Sequence, residues 1–173
     1  MTGRYDAGVG IGEQVAKDMI AVRIGPHMRM VVVGAPSYFA DRAQPKIPQD
    51  LAAQVCINLR LPTSGGLHAW EFENGGRELK VRVEGQVTLN TAGMILKAAL
   101  DGLGLAYLPE DQVKPSVDDG RLVQVLDDWC APYPGYHLCY PSRRQLAPAF
   151  ALLVDALRWR EPSSAGPRGT ARR

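Results

Sequence analysis

The sequence predicts an α/β fold, on three observations. Short β-branched runs, such as Met30-Val31-Val32-Val33, alternate with stretches whose apolar residues recur at helical spacing. Helical stretches begin directly at strand ends, at Pro36, Asn90 and Pro109. Gly, Pro, Asn and Asp punctuate the junctions between them. Alternation of this kind belongs to layered α/β domains, and 173 residues suffice for one ordinary domain or two small lobes.

Residues 19–24 and 30–33 are apolar runs separated by Gly25-Pro26, so both read as strands. Proline is best tolerated at the first helical position, so Pro36 is expected to open a helix through Ser37-Tyr38-Phe39-Ala40. Residues 48–53 read as a one-turn helix feeding a strand at 55–59, and Pro62-Thr63-Ser64-Gly65-Gly66 is a loop by its turn formers. Trp70-Glu71-Phe72 and residues 79–83 flank Asn74-Gly75-Gly76, the strongest hairpin signal in the chain, with Leu79, Val81 and Val83 on one face. After a strand at 86–89, Asn90 is a good N-cap for a helix carrying Ala92, Ile95, Leu96, Ala99 and Leu103, ended by Gly102 and Gly104. Residues 105–109 form a buried strand running into a helix at Pro109-Glu110-Asp111. Asp119-Gly120 then turns the chain into a strand at 122–126, and residues 136–140 are strand-like. Pro148 opens a last helix with Phe150, Leu153, Val154 and Leu157 on one stripe. From Glu161 onward Pro, Ser, Gly and Arg dominate, and residues 161–173 are expected to be a disordered basic tail.

Charge excludes one class of partner. The formal net charge is +2, but from Arg160 onward four arginines face only Glu161, which leaves −1 for residues 1–159. The body is therefore near neutral and has no phosphate-binding face of the kind nucleic acid requires. Hydrophobic residues at 46% and charged residues at 22% exclude disorder of the whole chain. No apolar run reaches a membrane span, and the N-terminus has no secretory h-region, so a cytoplasmic location without membrane contact is expected. Cys56, Cys130 and Cys139 lack C-x-x-C spacing, and His27, His68 and His137 are scattered, so no metal site is expected.

Catalytic motifs fail on inspection. Gly8-Val9-Gly10-Ile11-Gly12 is followed by Glu13 where a dinucleotide fingerprint needs glycine, so no cofactor is indicated. Ser64 and His68 lie four residues apart in a loop with nothing to orient a base. Asp118-Asp119 and Asp127-Asp128 read as solvated loop charges. The chain is expected not to be an enzyme. Binding is the remaining reading. Helix starts at Ser37 and Asn90-Thr91 present free N–H groups at strand ends, where open α/β sheets hold ligands, and the Thr63-Ser64 loop with Arg60 adds donors. The blander alternative is that each cap serves its own helix and that Arg60 is a solvated loop side chain.

Five blocks resemble the effector-binding domain of LysR-type transcriptional regulators. They are Tyr5-Asp6-Ala7-Gly8-Val9-Gly10-Ile11-Gly12, Val32-Val33-Gly34-Ala35-Pro36-Ser37-Tyr38-Phe39-Ala40 and Ala98-Ala99-Leu100-Asp101-Gly102-Leu103-Gly104-Leu105-Ala106-Tyr107-Leu108-Pro109. Gly120-Arg121-Leu122-Val123-Gln124-Val125-Leu126-Asp127-Asp128-Trp129 and the closing run from Tyr140 to Phe150 complete the set, in family order. The resemblance implies a type-II periplasmic-binding-protein-like fold: two α/β lobes, two crossover strands, and a small effector in the cleft between the lobes. The crossovers would be residues 30–35 and 136–141. Residues 1–35 and 140–160 would form the first lobe and residues 36–139 the second.

The same resemblance implies cleft residues at 35–37, 59–64 and Asn90-Thr91, a set that includes Ser37, Arg60, Thr63, Ser64, Asn90 and Thr91, and the donors read there suit a small carboxylate or similar anion. It implies a homo-oligomer, and DNA contact only through a winged helix-turn-helix that this sequence does not contain. Gly10 stands where the family usually has arginine, and Ala147 where a Ser or Thr cap precedes the proline of the last helix. The family's opening βα unit does not precede Tyr5, so an incomplete first lobe, from a fragment, a truncated gene product or a mis-set start, is expected. A solute-binding protein of a transport system on the same fold is the alternative function.

Overall fold

The computed structural model describes residues 5–11, 18–61, 65–141 and 147–160. In chain order its elements are β1 Gly8–Ile11, β2 Met19–Arg23, β3 Met30–Gly34, β4 Asn58–Leu59, β5 Trp70–Asn74, β6 Arg77–Val81, β7 Thr88–Leu89, α1 Ala92–Leu100, β8 Ala106–Pro109, α2 Glu110–Asp118, β9 Val123–Val125, β10 Tyr136–Pro141 and α3 Pro148–Leu157. The expected tail lies outside the described residues.

Contacts divide the chain into two compact units, Met28–Tyr133 and a discontinuous one made of Met1–His27 and Pro134–Arg173. The lobe boundaries expected after residues 35 and 139 lie further along the chain. Strand pairing accounts for the difference: β3 pairs entirely within the continuous unit, and β10 pairs entirely within the discontinuous one.

In the discontinuous unit β10 is the middle strand of an antiparallel sheet, β1-β10-β2, with Leu138 opposite Val9 on one side and Val22 on the other. Val22, Leu138, Tyr140 and Val154 form a small core, which Phe150 of α3 joins by an edge-on contact with Tyr140 at 5.3 Å between centroids. Ala147 precedes the proline that opens α3 and supplies no side-chain cap, so the first turn keeps free N–H groups.

The continuous unit is built around β3. Val31, Val32 and Val33 are fully buried, because β8 and β9 flank the strand and both faces are covered. A run of consecutive valines rather than an alternating pattern is what such a position requires. Each buried valine contributes roughly 1.5–3 kcal/mol of transfer free energy. Both neighbours run antiparallel to β3.

Next to β8 the pairing turns parallel. Leu105 bridges Cys56 in parallel, and β4 pairs with β7 in parallel. Residues 55–60 thus lie between Leu105 on one side and residues 84–89 on the other, through Ile57 N to Leu105 O at 2.8 Å and Asn58 N to Val87 O at 2.9 Å.

Local chemistry explains most elements. Gly75 and Gly76, at φ +60 and +81, close the β5–β6 hairpin as a two-residue turn in which both central residues need positive φ. α1 begins at Thr91, not Asn90: the Thr91 hydroxyl accepts from Met94 N. It ends in a Schellman motif, with Gly102 N on Ala99 O and Leu103 N on Ala98 O, so Leu103 is outside the helix and half exposed.

The helix expected after Pro36 does not form. Tyr38, Phe39 and Ala40 each bond to the carbonyl three residues back, and Arg42 does the same, giving a string of tight turns. Tyr38 has another use there: its hydroxyl donates to Gln54 Oε1 and accepts from Val55 N, pinning the turns to the start of the next strand.

Candidate functional site

The parallel pair β4 and β7 sets the geometry. Leu59 lies opposite Leu89, and Arg60 N donates to Leu89 O at 2.8 Å, so Arg60 and Asn90 leave the sheet side by side at its C-terminal edge. Thr91 follows at once as the cap of α1. Arg60, Asn90 and Thr91 are therefore brought together as expected of strand-end residues. All three are exposed. Thr63 and Ser64 lie outside the described residues; of the residues flanking them, Leu61 N bonds to Gly66 O and Gly65 N to Leu61 O, both at 2.8 Å.

Two side chains are already engaged. The Arg60 guanidinium donates to Gly65 O at 2.9 Å. The Thr91 hydroxyl accepts from Met94 N at 3.4 Å, which leaves its proton free to donate elsewhere.

Ser37 does not belong with these residues. β3 runs against β8, with Val33 opposite Ala106, and Leu105 in turn bridges Cys56 at the start of the strand whose far end carries Arg60. The C-terminal end of β3 therefore lies at the opposite edge of the sheet. Ser37 sits against Gly102, where a Cβ would come within 2.8 Å of its hydroxyl oxygen, past the C-terminus of α1. Thr91 opens that helix, and its nine residues span about 13 Å.

A cavity of about 350 Å³ opens in the continuous unit, bordered by Asn58, Gly66, Leu67, His68, Arg82 and Val83. The β5–β6 hairpin creates it. Trp70 and Val81 are the last paired residues at the hairpin's open end. Beyond them the arms diverge: His68 N bonds to Leu59 O at 2.8 Å, whereas Glu84 O accepts from Cys56 N at 2.9 Å. Asn58 lies on the strand between these two attachments and is 3% exposed. On the hairpin side an aromatic stack backs the wall, with Tyr107 against Trp70 at 5.4 Å and against His68 at 6.3 Å. The Tyr107 hydroxyl donates to Glu71 O, and burial raises its pKa. None of the Asn58, His68 and Arg82 side chains stood out in the sequence as functional. A lone Asn inside the apolar run 55–59 was the one available signal.

The remaining polar groups are structural in character. Arg29 donates to Cys130 O at 2.6 Å and pairs with Glu110 at 3.3 Å and with Asp127. Burial pushes the Cys56 thiol up to about 12 and the Cys130 thiol to about 11, which makes both poor nucleophiles at neutral pH. Among the described residues no group of His, Cys, Asp and Glu could hold a metal ion, and no helix is long and apolar enough to cross a membrane.

A continuous α/β unit inserted in chain order between the halves of a second, antiparallel one is the type-II periplasmic-binding-protein-like arrangement, a class of ligand-binding domain. The regulatory domain of AphB from Vibrio vulnificus shares it, with a TM-score of 0.70 and 25% identity over 88% of this chain and 74% of that one. The chain belongs to the LysR substrate-binding domain family, whose model matches residues 1–160. A putative transcriptional regulator of Pseudomonas aeruginosa is 53% identical over 159 residues, which is 92% of this chain and 52% of the relative. The HTH-type transcriptional regulator PgrR of Escherichia coli is 49% identical over 157 residues, or 91% and 52%. The chain thus spans about half the length of the curated relatives it matches.

Proposed function

We propose that this chain is the effector-sensing part of a LysR-type transcriptional regulator, not an enzyme, and that its effector is a small carboxylate or similar anion. The observation that carries this reading is the side-by-side emergence of Arg60 and Asn90 from a parallel strand pair, with α1 starting at the next residue. Backbone N–H groups of the first turn, the Thr91 hydroxyl proton and the Asn90 amide make that edge donor-rich, and the positive end of the helix dipole favours negative charge there. Thr63 and Ser64 would add hydroxyls from the neighbouring loop. Sensing means that the effector binds one conformation better than another, and DNA is read by a helix-turn-helix on the longer regulator. In the cell this places the protein in the cytoplasm.

Self-association accompanies this role. Leu152, Leu153 and Leu157 on α3 are 73%, 48% and 41% exposed, an apolar stripe suited to a second copy. The test of the effector reading is calorimetry on the full regulator with a panel of small carboxylates, comparing Ser64→Ala and Thr91→Val with the parent chain. Loss of a donor to a bound carboxylate should weaken binding about ten- to a hundred-fold. Unchanged affinity in both variants moves the site elsewhere.

A further inference from the structure

We propose that the cavity between the diverging arms of the β5–β6 hairpin is a second ligand site, for a short-chain monocarboxylate. It goes beyond the effector reading, because Arg60, Asn90 and Thr91 do not border it. Three features define the ligand. Its size, about 350 Å³, stands at the low end of the range for small-molecule sites, so the ligand has few carbons. Its polar groups are Arg82, the half-buried His68 ring and the buried Asn58 amide, and among the described bordering residues no acid opposes an anion. Its apolar wall is Leu67 and Val83, which suits an alkyl tail rather than a second carboxylate.

Arg82 is the decisive side chain. Three arginines already described are engaged: Arg29 on Cys130 O, Arg60 on Gly65 O and Arg160 on Asp155. Arg82 has no such bond or ion pair among the described residues. A planar guanidinium with its donors unspent, at the mouth of a cavity floored by a buried amide, is matched to a carboxylate. His68 is held in place for the same task by its stack on Tyr107, and its backbone is tied to Leu59. A ligand there would bridge the two hairpin arms across Asn58.

Butyrate is the probe, with butanamide as its neutral isostere. The isotope-labelled 173-residue chain, titrated with each and followed by NMR, should show saturable shifts at Gly66, Val83 and the His68 ring with butyrate and none with butanamide. Arg82→Gln should weaken butyrate at least about tenfold, the scale of a lost charged hydrogen bond. His68→Phe keeps the stack on Tyr107, removes the ring donor and should weaken it too. Equal responses to the two probes, unchanged affinity in both variants, or no saturation by about 20 mM butyrate, far above a Kd of about 1 mM, overturn the proposal. Shifts confined to Asn90 and Thr91 also overturn it while leaving the strand-end effector site standing. Conversely, unchanged effector affinity in Ser64→Ala and Thr91→Val leaves this pocket untouched.

Discussion

Arg29 Nε lies 2.6 Å from the carbonyl oxygen of Cys130, so a residue just past the start of the continuous unit grips one just before its end. The same guanidinium pairs with Glu110 on the first turn of α2 and with Asp127. Glu110 and Asp127 are 41% and 65% exposed, so water screens them, and the main loss on removing the guanidinium is its bond to Cys130 O. Arg29→Met should lower stability by roughly 1–2 kcal/mol, read as a reduced midpoint in urea with an unchanged slope. A midpoint equal to that of the parent chain would show that the clasp contributes nothing net.

Glycine-to-alanine changes should separate close approach from turn strain. A Cβ at Gly85 would stand 1.7 Å from Cys56 O, so the backbone carrying residues 84–89 must withdraw from its neighbour, at a cost of about 3 kcal/mol or more. At Gly75 nothing lies within 4 Å, and only the positive φ is strained, at about 1 kcal/mol. Thermal denaturation of Gly85→Ala and Gly75→Ala should rank them in that order, and the reverse order contradicts the strand contact.

Two buried thiols predict a weakness at alkaline pH. The folded-state pKa values of Cys56 and Cys130, about 12 and 11, stand above the ordinary thiol value of 9.0 because burial disfavours the thiolate. Below pH 9 both states hold the proton and stability is intact. Above it the unfolded chain releases protons that the folded chain retains, so stability falls by up to about 1.4 kcal/mol per pH unit for each thiol. Urea midpoints at pH 8 and pH 10 should show the drop, and Cys56→Ala should flatten it. An identical pH profile in that variant would assign the drop to other groups.

Ala147 offers a gain. It occupies the N-cap of α3 and makes no cap bond, so Ala147→Ser gives the first turn an acceptor and should add about 0.5–1 kcal/mol, measured by chemical denaturation. No change would mean that the serine hydroxyl does not reach the N–H groups of that turn.

Features set by neighbours in sequence were legible, and features set by strand direction were not. Asn74-Gly75-Gly76 marks its hairpin because only that backbone accommodates two positive φ angles, and the valines of β3 mark a strand covered on both faces. The run after Pro36 misleads because proline permits a helix start without requiring one, and Tyr38 in that run is tied instead to Gln54 and Val55, partners distant in sequence. Ser37 illustrates the deeper limit. Its rank as a strand-end residue was readable, but the edge of the sheet on which it falls depends on β3 running antiparallel, which no local pattern encodes. For the same reason Asn58, His68 and Arg82 stayed invisible as a group: pairing across distant segments, not spacing, assembles them.

Met28 and Tyr133 exchange two backbone hydrogen bonds, at 3.0 and 2.8 Å, tying together the ends of the continuous unit. This bridge changes the entropy of a distant pairing. Arg23 of β2 must find His137 of β10 across a loop of roughly 110 residues while the intervening chain is unstructured. Once residues 28–133 have closed on themselves, the effective loop shrinks to under about ten residues, lowering the entropic cost of that pairing by about 2 kcal/mol. Closure of the larger unit thus makes the smaller sheet cheaper to form, and β10 and α3, which complete that sheet and its core, follow the whole of residues 28–133 in the chain.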